Sequence, residues 1–161
     1  MEKQSLKEGW QLLWEGKSLE ASVPFSMYHS LYEHGEIEDP YYRDNCEAAM
    51  ELSRKDVTYQ CTFDAEPQVY ACSKIALHFD GVDTLADLYL NGTLLGSTYN
   101  MHREWEFEVK DILKEKENLL EVQFHSPIRY MEEQVEKYGS IPSNTDTLDG
   151  FNYLRKASCM S

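Results

Sequence analysis

Hydrophobic positions recur at every second residue along most of this chain. Trp10, Leu12 and Trp14 alternate with polar neighbours, and so do Val57/Tyr59/Cys61/Phe63, Ile75/Leu77/Phe79, Leu88/Leu90, Trp105/Phe107/Val109 and Leu120/Val122/Phe124. A period of two puts each set on one face of a half-buried strand. Glu104, Glu106 and Glu108 form the cleanest polar face opposite such a set. A further short strand is predicted over 19–23, ending at Pro24. Short strands parted by turn signals, with no long crossover helix, predict an antiparallel sandwich rather than a parallel α/β sheet.

Two early segments break this period. Ser26 is placed to cap a two-turn helix through His34, with Met27/Leu31 and Tyr28/Tyr32 as i, i+4 pairs and Gly35 as the stop. Residues 36–45 read as a loop around Asp39-Pro40. Asp44, with Glu47 three residues on, has the capping-box pattern for a second helix to about Leu52. Past Pro127 the alternation ends, and 128–137 has room for one short helix. Gly139, Pro142, Asn144, Asp146 and Gly150 then mark loop. The expected division is a sandwich over 1–126 and an extended connector over 127–161. Phe151, Tyr153 and Leu154 have no strand partner in view. Residues beyond Tyr138 are therefore expected to be mobile or buried against something else.

The most informative stretch is Asp87-Leu-Tyr-Leu-Asn91-Gly92-Thr93-Leu94. Asn91-Gly92 supplies the two positive-φ positions that a type I′ hairpin needs. The same residues match a glycosylation sequon, but the hairpin is the stronger reading.

Composition narrows the picture. The chain has 161 residues, 42% hydrophobic and 12% aromatic, enough for one domain with its own core and not a disordered chain. It holds no apolar run of membrane-spanning length. With 29 acidic against 15 basic side chains and a net charge of −14, its field repels phosphate backbones, so nucleic-acid binding is not expected. Cys46, Cys61, Cys72 and Cys159 show neither disulfide nor zinc spacing. Reduced thiols and the absence of a secretory h-region lead to an expected cytoplasmic location. Asp64, Glu66, Asp80 and Asp83 lack a calcium-loop pattern and read as turn and strand-edge residues. No metal ligand set and no cofactor motif is found.

In their order, the hairpin, the Phe79-Asp-Gly-Val-Asp-Thr-Leu-Ala86 segment before it, and the strands through Val122 resemble the sugar-binding β-sandwich of family 2 glycoside hydrolases. Asp39-Pro-Tyr-Tyr-Arg-Asp-Asn45 resembles the loop that β-mannosidases of this family place before the first long strand. Tyr99-Asn-Met-His-Arg103 resembles the segment they carry after the hairpin. The tail, Ser126-Pro-Ile-Arg-Tyr130 and Gly150-Phe-Asn-Tyr-Leu-Arg-Lys-Ala-Ser-Cys-Met-Ser161, resembles the run that leads into their Gly-Trp-Asp-Trp-Gly-Pro motif. The likeness spans 9–161. It implies an all-β, antiparallel jelly-roll β-sandwich with short helical decorations near the N-terminus. It also implies a non-catalytic piece of an enzyme that removes terminal β-mannose from oligosaccharides with retention. The catalytic carboxylate pair would lie on a barrel outside this chain.

Partners expected on this basis are a mannose-containing carbohydrate in the parent enzyme, the remaining domains of the same polypeptide, and a second copy if the fragment dimerises. Alternatives are the same domain from a β-galactosidase or β-glucuronidase, a free-standing carbohydrate-binding module or lectin, and an interaction domain without a glycan.

Sugar faces stack on exposed rings, so surface aromatics are the first candidates for binding. Trp10, Trp14 and Trp105 belong to alternating strands and read as core. Tyr41 and Tyr42 lie in a loop rich in hydrogen-bonding groups, beside Asp44 and Asn45. The competing reading is a loop pinned by its own Asp and Asn side chains. Arg155, Lys156 and Cys159 adjoin the point where the resemblance places a substrate-gripping motif, which implies a pocket-lining role for them.

Overall fold

A computed structural model describes residues 2–40, 42, 43, 45–141, 153 and 154. Its strands are β1 (Trp10–Trp14), β2 (Lys17–Ala21), β3 (Val57–Phe63), β4 (Ala76–Phe79), β5 (Ala86–Leu90), β6 (Thr93–Thr98), β7 (Trp105–Glu108) and β8 (Asn118–Phe124). Helices are α1 (Met27–Glu33), α2 (Asn45–Leu52), α3 (Pro67–Tyr70) and α4 (Pro127–Tyr138). Six strands form one antiparallel sheet in the order β2-β1-β3-β8-β5-β6, and β4 pairs with β7 in a second sheet.

The period-2 pattern becomes rows of side chains across the large sheet. Leu12, Tyr59, Val122 and Leu88 are register partners on β1, β3, β8 and β5, all buried. The next row is Trp10, Cys61, Leu120 and Leu90, again all buried. Each row exists because alternate residues share a face and cross-strand neighbours lie within packing distance. The first row ends at Gly96 on β6, the partner of Leu88. A β-carbon there would stand 2.7 Å from Cε1 of Phe107 on β7, so the ring occupies the space of the missing side chain. This contact closes the small sheet onto the large one. Trp105, Val109, Val82 and Ile75 join the same apolar core.

Phe25, just before α1, stacks on Tyr59 with centroids 3.9 Å apart and tilts against Trp10. That contact anchors the α1 segment. α4 is rooted on the sandwich: Met131 is buried, and Arg54 makes two bonds of 2.9 and 2.8 Å to the Glu132 carboxylate.

Several elements depart from the sequence reading. β2 begins at Lys17 and ends at Ala21, two residues earlier than predicted, because Glu15 (φ 47°) and Gly16 (φ 81°) make a tight hairpin from Trp14 to Lys17. Ser26 occupies the N-cap position of α1 but its side chain makes no capping bond; the first turn is closed by the Ser30 N–H to the Ser26 carbonyl. α3 is a single turn that no periodicity announced, opened by Pro67 at its first position. In β4, Leu77 and Phe79 are only half-buried, since β4 belongs to a two-stranded sheet with limited cover. α4, by contrast, lies where a short helix over 128–137 was expected, one residue longer at each end.

Candidate functional site

The loop between α1 and α2 is a folded turn. Gly35 (φ 69°) ends α1, and the Glu36 N–H donates back to the Leu31 carbonyl at 2.9 Å. The Tyr42 N–H donates to the Asp39 carbonyl at 3.1 Å, and the Asn45 N–H to the Tyr42 carbonyl at 3.3 Å. Asn45 Nδ2 donates to that same Asp39 carbonyl at 2.9 Å, so its amide staples the loop across six residues. Arg43, between them, sits at φ 52°. The Asn45 side chain thus has the pinning role weighed against direct sugar contact.

Tyr42 is 57% exposed, and the Arg43 guanidinium lies 5.1 Å from its ring centroid. An exposed ring beside a fixed cation offers an apolar face and hydrogen-bond donors, the combination that pyranose faces and hydroxyls need. Beside this loop a hollow of about 290 Å³ is lined by Glu36, Ile37, Glu38, Asn45, Ala48 and Leu52, at the small end of ligand pockets. Tyr42 stands outside that lining. Lys17 Nζ holds Glu36 at 2.6 Å, and Glu38 is exposed. A larger trough of about 460 Å³ lies between the N-terminal segment 4–8 and Phe63. Its lining is Phe63, Leu6 and the polar residues Gln4, Ser5, Lys7 and Glu8.

The structure therefore brings Asn45 to a hollow and Tyr42 to the surface beside it. Tyr41, Asp44, Arg155, Lys156 and Cys159 lie outside the described residues, as does the Asp44 half of the expected capping box. Sequence reasoning missed Glu36, Ile37, Glu38, Ala48 and Leu52. The signal was present: Asn45, Ala48 and Leu52 are i, i+3 and i+7 on α2, one helical face. Among the described residues no group of three or more His, Cys, Asp or Glu is arranged to hold a metal ion, and no helix is long and apolar enough to cross a membrane. Cys61 and Cys72 are free thiols, Cys61 buried.

The profile of the glycosyl hydrolase 2 galactose-binding domain-like family matches residues 4–161. The chain belongs to this family. Within it, the chain is 33% identical over 164 residues to the β-mannosidase of Mus musculus, covering 96% of this chain and 18% of that protein. The crystal structure of a β-D-mannosidase from Dictyoglomus thermophilum superposes with a TM-score of 0.82 at 36% identity, over 86% of this chain and 17% of the other. A Bifidobacterium dentium β-glucuronidase gives a TM-score of 0.54 at 26% identity, over 72% of this chain and 19% of the other. The family domain accounts for the all-β sandwich, and it spans under a fifth of the mouse relative's length.

Proposed function

We propose that this chain is the non-catalytic sugar-binding domain of a β-mannosidase, an enzyme that hydrolyses terminal non-reducing β-mannose with retention. The single observation that carries the reading is the shared fold and 36% identity with a β-D-mannosidase across 86% of the chain. In this reading the α1–α2 loop, with Tyr42, Arg43 and Asn45, forms one wall of the sugar site. The rest of the polypeptide supplies the other walls and the two carboxyls. Retaining chemistry needs that pair about 5–5.5 Å apart, one as nucleophile and one as acid/base. A cytoplasmic location is part of this proposal.

The test is the activity of the full-length parent on aryl β-mannoside, β-glucuronide and β-galactoside. A strong preference for mannoside supports the proposal. Faster cleavage of either other glycoside assigns the domain to another family 2 enzyme, the second reading that the β-glucuronidase likeness favours.

A further inference from the structure

His125 stands where four elements meet. It directly follows β8, and its backbone N–H donates to the Leu85 carbonyl at 2.9 Å. Its Nε2 lies 2.9 Å from Asp87 Oδ2 on β5, and its Nδ1 lies 3.9 Å from Asp56 Oδ2 in the turn before β3. Asp56 Oδ1 accepts from the Ser126 N–H at 2.7 Å and from the Arg129 guanidinium on α4. Ser126 closes the knot: its Oγ donates to the Ser53 carbonyl at 2.7 Å and accepts from the Arg129 N–H at 3.1 Å, capping α4. The remaining groups facing this site are the Ser97 hydroxyl on β6, which donates to Asp87, and Glu133 on α4, which acts on Arg129.

We propose that His125 is a proton-operated clasp that fastens the root of α4 to β5 and to the turn before β3. A protonated imidazole has two N–H donors and one positive charge, and here each nitrogen faces a different carboxylate. A neutral imidazole can still donate through Nε2 to Asp87, but it loses the positive charge that faces Asp56 across 3.9 Å. Charge favours the closed form: a protonated His125 beside Arg129 offsets Asp56 and Asp87, with Glu133 on α4 leaving one negative charge over. With a neutral ring the excess grows by one negative charge, in a protein already at −14. Histidine is the side chain whose charge changes near physiological pH, and His125 is exposed enough for protons to reach it. His78 is the internal contrast. It faces Asp80, Glu104 and Glu106 at 3.3–4.0 Å, but Asp80 is fully exposed and these groups all sit on or beside two strands already paired, β4 and β7, none of them on α4.

The test is NMR on the 161-residue chain. The His125 ring signals are followed through a pH titration while exchange of the Arg129 and Tyr130 amides, the first turn of α4, is measured at each point. Protonation of the ring is expected to slow those amides about two- to five-fold beyond the intrinsic pH effect, the scale of exposed ion pairs, with the ring's own midpoint. His125→Gln should abolish this dependence, and His78→Gln should leave it intact. Asp87→Asn, which removes the carboxylate facing Nε2, should weaken the response of α4. A dependence that survives in His125→Gln, or a ring that titrates without any response in α4, overturns the proposal.

Discussion

The side-chain amide of Asn91 donates to Asn118 Oδ1 at 3.0 Å, tying the hairpin turn of β5–β6 to the buried start of β8. Asn91 also donates to the Ile112 carbonyl at 2.8 Å and accepts from the Leu119 N–H at 3.0 Å. Both amide hydrogens of Asn91 are therefore engaged, which is why the sequon at this position reads as structural. Asn118 is wholly buried, with its amide shared among the Lys114 N–H, the Lys114 carbonyl and the Phe63 carbonyl. Asn118→Ala would leave several partly buried backbone groups, and Asn91, without their partner. The expected loss is about 2–4 kcal/mol, from more than one unsatisfied group at about 1–3 each. Urea unfolding should show a lower midpoint at unchanged slope.

Gly96→Ala should also destabilise, for a steric reason. The new methyl would collide with the Phe107 ring at the end of a packed row, at a cost of about 1–3 kcal/mol. Phe107→Leu should recover part of that loss in the double variant. A purely additive cycle would mean that the ring is not the obstacle.

Tyr59→Phe is expected to be neutral or to stabilise by up to about 1 kcal/mol. Burial pushes the Tyr59 phenol up, with Ser30 pulling the other way, yet its Oη has no hydrogen-bond partner in bonding geometry. The ring itself packs on Phe25 and Phe124, so Tyr59→Ala should cost about 3–5 kcal/mol. Thermal or urea melts of the two variants separate the hydroxyl from the ring. A clear loss in Tyr59→Phe would reveal a hydrogen bond.

Stability should fall in acid. The Ser97 hydroxyl holds the Asp87 carboxyl below the usual carboxylate range, against an upward push from burial that ranks next, and His125 adds to the lowering. At Asp56 burial is the largest single influence and pushes up, but the Arg129 guanidinium, the Ser126 N–H and His125 together bring it below the ordinary value. Both are depressed carboxylates. Their stabilising contribution is complete above the unfolded aspartate value of about 4 and is lost as pH falls through the folded values. Urea midpoints measured from about pH 6 downward should drop below about pH 4, and Asp56→Asn should flatten that drop.

The strands were legible because one face of each is dry. Leu12, Tyr59, Val122 and Leu88 alternate with polar residues in the sequence and lie side by side in the sheet for the same reason. The Asn91-Gly92 turn was legible because both residue types accept positive φ, as they do at 52° and 79°. The Glu15–Gly16 turn was not, since glutamate carries no such signal. There the pairing of Trp14 with Lys17 and the Glu15–Lys55 bond at 2.7 Å hold the backbone in place. The loop at 39–45 could be read as pinned by its own side chains, and Asn45 does this. Of the hollow beside it only the Asn45/Ala48/Leu52 face of α2 was legible; the rest was not, because Glu36, Ile37 and Glu38 come to line it from another part of the chain.

Sugar binding by this chain in isolation should be weak. The hollow beside Asn45 is bounded by one loop and one helix face, and Glu38 and Ala48 in its lining are exposed. A pyranose there would keep much of its surface in water, whereas sites that bind small ligands well bury most of the ligand. The expected dissociation constant for mannose or mannobiose is about 1 mM or weaker, no better than about −4 kcal/mol. In a calorimetric titration this gives little heat, while NMR should show small shifts centred on Glu38, Asn45 and Ala48. Shifts elsewhere would move the site away from the α1–α2 loop. A micromolar constant would mean that the 161 residues form a complete binding module, and the lectin reading would replace the wall of a larger pocket.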